Sequence, residues 1–149
     1  MGTIEKVLIA SDHAGFALKE WIKNNIKDYN FEDLGPLSDS SVDYPDYAHK
    51  LSKAIQDGRA DRGILVCGSG VGMSMAANRS QGVRAALVEN PVSARLSREH
   101  NHSNVLCLGS RFIAPEYAAE IIRVWMTTPE SQEPRHLDRI QKIEPEAQA

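Results

Sequence analysis

Cysteine is scarce in this chain: two residues, Cys67 and Cys107, in 149. Two isolated thiols make no disulfide framework. They suit a reducing cytoplasm, where a lone cysteine is a core filler or a nucleophile more often than half of a bridge. No apolar run approaches the ~20 residues that cross a bilayer, so no membrane association is expected. The opening stretch MGTIEKVLIASDHAG lacks the apolar segment and cleavage pattern of a secretory leader, and Lys6 stands where a myristoylation signal wants Ser or Thr. The five histidines, at 13, 49, 100, 102 and 136, fall in no zinc-finger or metalloprotease spacing, so no metal is expected. Positive charge is not in excess either. A formal net charge of -3 gives no electrostatic reason to expect nucleic acid or an anionic membrane as partner.

Hydrophobic residues make up 42% of the chain, enough to give one domain over 1–149 a real core. Short aliphatic runs alternate with longer amphipathic ones. KVLIA (6–10), FEDLG (31–35), GILVCG (63–68), VRAALV (83–88) and NVLCLG (104–109) read as strands. FALKEWIKNNIKDY (16–29), DYPDYAHKLSKAIQDG (43–58), GMSMAANR (72–79), PVSARLSREH (91–100) and APEYAAEIIRVWMTT (114–128) read as helices. Strands alternating with helices predict an α/β, Rossmann-like three-layer sandwich: a five-stranded parallel sheet with helices on both faces. Beyond it, Leu137, Ile140 and Ile143 form a narrow apolar stripe on a C-terminal helix. That helix has two destinations open to it, its own sheet or a partner subunit.

In such sheets ligands sit outside the carboxyl ends of the strands. This gathers SDHAG (11–15), the region 43–45, CGSGVG (67–72), Glu89-Asn90 and GSR (109–111) into one neighbourhood. The glycines at 68, 70 and 72 miss the dinucleotide fingerprint, which would need glycine where Met73 stands, and no lysine makes a phosphate-binding P-loop. Glu89, where a ribose-binding acid would lie, keeps a nucleotide-binding or sensor module as the rival. A glycine loop opening a helix presents free N–H donors, for phosphate or for an oxyanion formed in a reaction. Cys67 directly precedes that loop. It is either the last core residue of its strand or a thiolate facing a nest of donors. Cys107 has no such loop behind it and reads as core.

Asp12 and His13 can hold sugar hydroxyls and shuttle protons, or Asp12 can simply cap the next helix. His100 is a general acid or a partner for the dipole of its own helix. Arg135 and Arg139, four apart on one helix face, form a phosphate grip with Arg111 or a solvated surface.

Six stretches, SDHAGF, DYPDYA, GILVCGSGVGMSMAANR, LSREHN, NVLCLGSR and RHLDRI, together resemble the ribose-5-phosphate isomerase B family, which shares its superfamily with galactose-6-phosphate isomerase subunits. The resemblance implies a cytoplasmic aldose–ketose isomerase of the pentose phosphate pathway. Its substrate is a small-molecule sugar phosphate, with ribose 5-phosphate first and a six-carbon phosphate such as allose 6-phosphate or galactose 6-phosphate as the alternative. It implies no cofactor, and a homodimer with shared active sites, in some members paired into a tetramer. By motif position, Cys67 resembles the base that moves a proton between C2 and C1, and this chain matches the thiolate branch because Met73 replaces the glutamate of the other branch. His100 resembles the ring-opening residue. Ser69 stands beside the thiol, and the backbone of Gly68, Ser69, Gly70, Val71 and Gly72 resembles the enediolate cradle. Asp12, His13 and Asn101 resemble contacts to hydroxyls and ring, and Tyr44 flanks the sugar. Arg111, Arg135 and Arg139 resemble the phosphate grip, with His13 near it.

Overall fold

The structure is a computed structural model that describes residues 2–145. The aliphatic runs become strands because their side chains can be buried on both sides of a pleated ribbon. They are β1 (Lys6–Ser11), β2 (Asn30–Asp33), β3 (Gly63–Cys67), β4 (Ala85–Leu87) and β5 (Val105–Gly109). All pairings are parallel, in the order β2-β1-β3-β5-β4. Parallel neighbours require crossovers. These are α1 (Phe16–Asn25), α2 (Tyr44–Gln56), α3 (Val71–Ala77) and α4 (Pro91–Asn101). After β5, α5 (Pro115–Thr127) returns to the sheet, and α6 (Pro134–Gln141) packs on α4.

The period-2 alternation of each strand divides the core into two layers. Val7, Ile9, Ile64, Val66, Leu106 and Leu108 face α1, α4 and α5 around the buried Trp125. Leu8, Ala10, Leu65, Cys67, Val105 and Cys107 face α2 and α3. The second layer is thin where its side chains are small: Ala48, Ala54 and Ala77 come from the helices, beside the larger Leu51 and Met73. At Gly63 an added Cβ would lie 2.7 Å from a Leu51 methyl, so α2 already sits as close as that strand permits.

Several polar groups inside the first layer are paired, although Arg98 Nε is buried without a partner. Trp125 Nε1 donates to Ser103 Oγ (2.8 Å), and the Arg62 and Arg98 guanidinium groups lie 5.6 and 5.7 Å from its ring. Lys19, wholly buried, donates to Asp33 (2.8 Å) and to the Pro36 carbonyl (2.6 Å), and Lys23 reaches the same carboxylate (2.6 Å). Burial alone would raise the Asp33 carboxyl, but Lys19, Lys23 and the Gly35 N–H hold it below the usual carboxylate range. This cluster ties the end of β2 to α1 and steadies the connection into α2.

Several boundaries differ from the pattern. α1 stops at Asn25, because Ile26 turns to extended backbone (φ −101°, ψ 106°). β2 spans 30–33 rather than 31–35. β4 is shorter than 83–88 because the Arg84 N–H is taken by Asn104 Oδ1 (2.7 Å), although Val88 still donates to Cys107 O (3.2 Å). Among the described residues no helix is long and apolar enough to cross a membrane.

Candidate active site

β1, β3 and β5 are adjacent, yet α1 and α5 lie on one face of the sheet and α3 on the other. The loop after β3 therefore diverges from both neighbours, and the carboxyl edge opens into a fork at a topological switch point.

Asp12 closes β1. Its N–H donates to Val66 O (3.1 Å), and its Oδ1 accepts the Gly15 N–H (2.9 Å). Asp12 thus holds an amide of the turn that leads into α1, whose N-cap is Gly15 with no side-chain cap, and Oδ2 meets no protein donor among the described residues. Gly15 brings the start of α1 against β3: a Cβ there would sit 2.3 Å from Val66 O. His13 is exposed, with Nδ1 3.2 Å from both the N–H and the carbonyl of Val42, so either tautomer finds a partner there.

Cys67 closes β3 and is 4% exposed. Its sulfur accepts the Gly70 N–H (3.1 Å). The loop can fold back in this way because Gly70 is left-handed (φ 78°). Ser69 Oγ accepts the Val71 N–H (3.2 Å). Among the described residues the N–H groups of Gly68, Ser69, Gly72 and Met73 meet no protein acceptor. Two side chains flank the loop. The Arg111 guanidinium lies over Gly68, 3.0 Å from where a Cβ would be, and the Tyr44 ring lies over Gly72 at 2.6 Å on the same measure. Ser110, which no motif singled out, joins the loops: its N–H donates to Cys67 O (2.9 Å) and its Oγ to Ala14 O (2.8 Å). Cys107 is core as expected, and burial, with the Cys67 sulfur near it, pushes its thiol far up.

The remaining candidates lie elsewhere. α4 starts at the carboxyl end of β4, where Asn90 Oδ1 caps it through the Ser93 N–H (2.8 Å). Its 11 residues carry the chain about 16 Å, to the amino edge of β5. His100 and Asn101 are on that last turn, both exposed. Arg135 and Arg139 are on α6, which packs there too. Arg135 Nε donates to Glu133 (2.7 Å), and Arg139 is exposed. The apolar stripe is weaker than its spacing promised: α6 ends at Gln141, Leu137 and Ile140 are half-buried, and Ile143 is exposed. The side chain that does pack is His136, 6% exposed and stacked on His100. One chain therefore brings Asp12, His13, Tyr44, Cys67, the 68–72 loop and Arg111 together. It holds His100, Asn101, Arg135 and Arg139 at the opposite end of the sheet.

Comparison with known proteins bears on this arrangement. Residues 7–143 match the Ribose/Galactose Isomerase family. Ribose-5-phosphate isomerase B of Escherichia coli is 40% identical over 142 residues, covering 94% of this chain and 95% of that protein. The putative sugar phosphate isomerase YwlF of Bacillus subtilis is 45% identical over 141 residues, covering 93% and 94%. A crystal structure of a ribose 5-phosphate isomerase from Thermotoga maritima aligns with a TM-score of 0.91 at 50% identity, covering 95% of this chain and 98% of that one.

Proposed function

Because the chain belongs to the ribose/galactose isomerase family, we propose that it interconverts ribose 5-phosphate and ribulose 5-phosphate through a cis-enediolate, as a single domain with neither cofactor nor metal. The observation that carries the reading is the sulfur of Cys67, held by the Gly70 N–H in a loop whose Gly68, Ser69 and Gly72 amides meet no protein acceptor among the described residues, at the fork between β1 and β3. Isomerisation asks for such a pairing. The thiolate takes the proton from C2, and the C–H electron pair forms the C1–C2 double bond. Negative charge moves onto the sugar oxygens, where the free amides of the loop donate to it. Ser69 relays the hydroxyl proton from O2 to O1. The sulfur-bound proton then returns to C1, leaving the carbonyl at C2. One such donor contributes about 3 kcal/mol in the transition state.

The furanose must first open. His100 gives a proton to the ring oxygen while the anomeric hydroxyl loses its own, with Asp12, His13 and Asn101 on the hydroxyls and Tyr44 flanking the sugar. Arg135, Arg139 and Arg111 take the phosphate, whose binding fixes the reacting carbons without touching them. A single chain keeps half of these groups on each edge of the sheet, so the working unit is a homodimer. The α4 and α6 end of one copy completes the Cys67 fork of the other. The C-terminal helix thereby serves the partner subunit. Two free thiols suit a cytoplasmic setting.

The direct test is purified chain with ribose 5-phosphate and a chelator, followed for ketose. Ketose formed without any addition is the expected result, and its absence would overturn the reading.

A further inference from the structure

We infer that His136 is a positioning residue for His100: a fixed plate against which the ring-opening imidazole is held. The inference rests on the isomerase reading above and concerns a side chain that no motif singled out. The two rings lie parallel, with centroids 4.5 Å apart and planes inclined by 11°. His136 is buried between α6 and α4, whereas His100, on the last turn of α4, is exposed. One ring is fixed by its surroundings, and the other is fixed by that ring.

An exposed histidine at a helix end has a broad χ2 range. A stacked aromatic neighbour narrows that range through the ring faces and leaves the edges free. Both nitrogens of His100 thus remain available to a sugar. The histidines nearest these two in function or sequence are used differently. His13 is engaged with the Val42 backbone, and His102 has Nε2 2.8 Å from Ser131 O, with Nδ1 3.5 Å from Glu130. The charges around the stack agree with this division. His136 faces His100 on α4, Arg135 and Arg139 on its own helix, and Glu133 at that helix's start, with Nε2 3.9 Å from the Glu133 carboxylate. Burial first, then His100, then Arg135, hold His136 below the usual imidazole value, with Glu133 opposing. A proton on the inner ring is thus disfavoured by its surroundings.

His136 is also the one buried side chain of α6, so the test must separate orientation of His100 from seating of the helix. Wild type, His136→Ala and His136→Phe are compared in both directions. Ribose 5-phosphate arrives as a closed ring, whereas ribulose 5-phosphate is open, because its C5 oxygen carries the phosphate and cannot close a ring. His136→Ala is expected to lose roughly tenfold in kcat from the aldose and clearly less from the ketose. His136→Phe, which keeps a flat ring, is expected to recover most of that loss. Equal losses in both directions, a rise in KM alone, or no recovery with phenylalanine would overturn the inference and leave His136 as a seat for α6. A second arm does not depend on turnover. The Hε1 proton resonance of His100 should carry an upfield ring-current shift that His136→Ala removes. If that resonance is the same in both proteins, the stack is wrong whatever the chain catalyses. If the shift is present but wild type makes no ketose, the isomerase reading fails, and the ring-opening role of the pair falls with it.

Discussion

At the carboxyl edge of the sheet the proposed reacting groups are held by backbone. Cys67, Asp12 and Ser110 each sit within a residue of a strand end, and their partners are amides and carbonyls of neighbouring strands or loops. At the amino edge the groups are carried by helix ends. His100, Arg135 and Arg139 stand out from α4 and α6, exposed and backed by few contacts. The contrast matches two different demands. Moving a proton between adjacent carbons tolerates little displacement, so it belongs where strand pairing fixes atoms to a fraction of an ångström. Gripping a phosphate needs long, charged, adjustable arms. The two sets meet only if a second copy supplies one of them.

The comparison is open to attack at several strengths. The severest test falls on the rigid edge: Cys67→Ala should keep its fold and its affinity for ribose 5-phosphate while turnover drops by about a thousandfold. Binding by calorimetry beside a ketose assay checks this, and near-normal kcat would remove the sulfur from the mechanism. Next comes the claim that the edges cooperate across copies. Cys67→Ala and His100→Ala, each inactive alone, should regain roughly a quarter of wild-type activity when unfolded and refolded together, since mixed dimers contain one intact site. No recovery from a mixture shown to contain mixed dimers would mean that each site is built from one chain. A smaller effect belongs to the adjustable edge. Arg139→Ala should raise KM about tenfold and leave kcat within about threefold. A loss confined to kcat would place Arg139 away from the phosphate. The mildest change separates the two cysteines: Cys107→Ala should cost about 1 kcal/mol of stability, read as a lower Tm, with turnover unchanged.

Much of the carboxyl edge was legible in the chain itself. Strand ends can be read from where aliphatic runs stop, and a parallel sheet brings those ends together, so Asp12, Cys67 and Arg111 could be grouped before any coordinates. The loop's glycines were equally plain, although only the fold shows that Gly70 is the left-handed one and that it aims its own N–H at the sulfur. The amino edge was harder. That His100 and Cys67 belong to opposite ends follows from α4 running antiparallel to the strands, yet a motif match alone places both in one site. Spacing on α6 pointed to Leu137, Ile140 and Ile143 as its packing face, whereas the buried position is His136. Apolar periodicity cannot announce an imidazole that packs by stacking on another. The buried Lys19 was also invisible, because its partners Asp33 and Pro36 come from a different strand and loop.

The thin layer between the sheet and α2 and α3 reaches further than stability. α3 carries the glycine loop at its head, and its layer packs alanines, Met73 and the two thiols among leucines and valines. A methyl group added there, well away from the proposed sugar site, would lift the helix and with it the amides proposed to meet the reacting oxygens. Neutral-looking drift in that layer would register as a slower enzyme before it registered as a less stable protein.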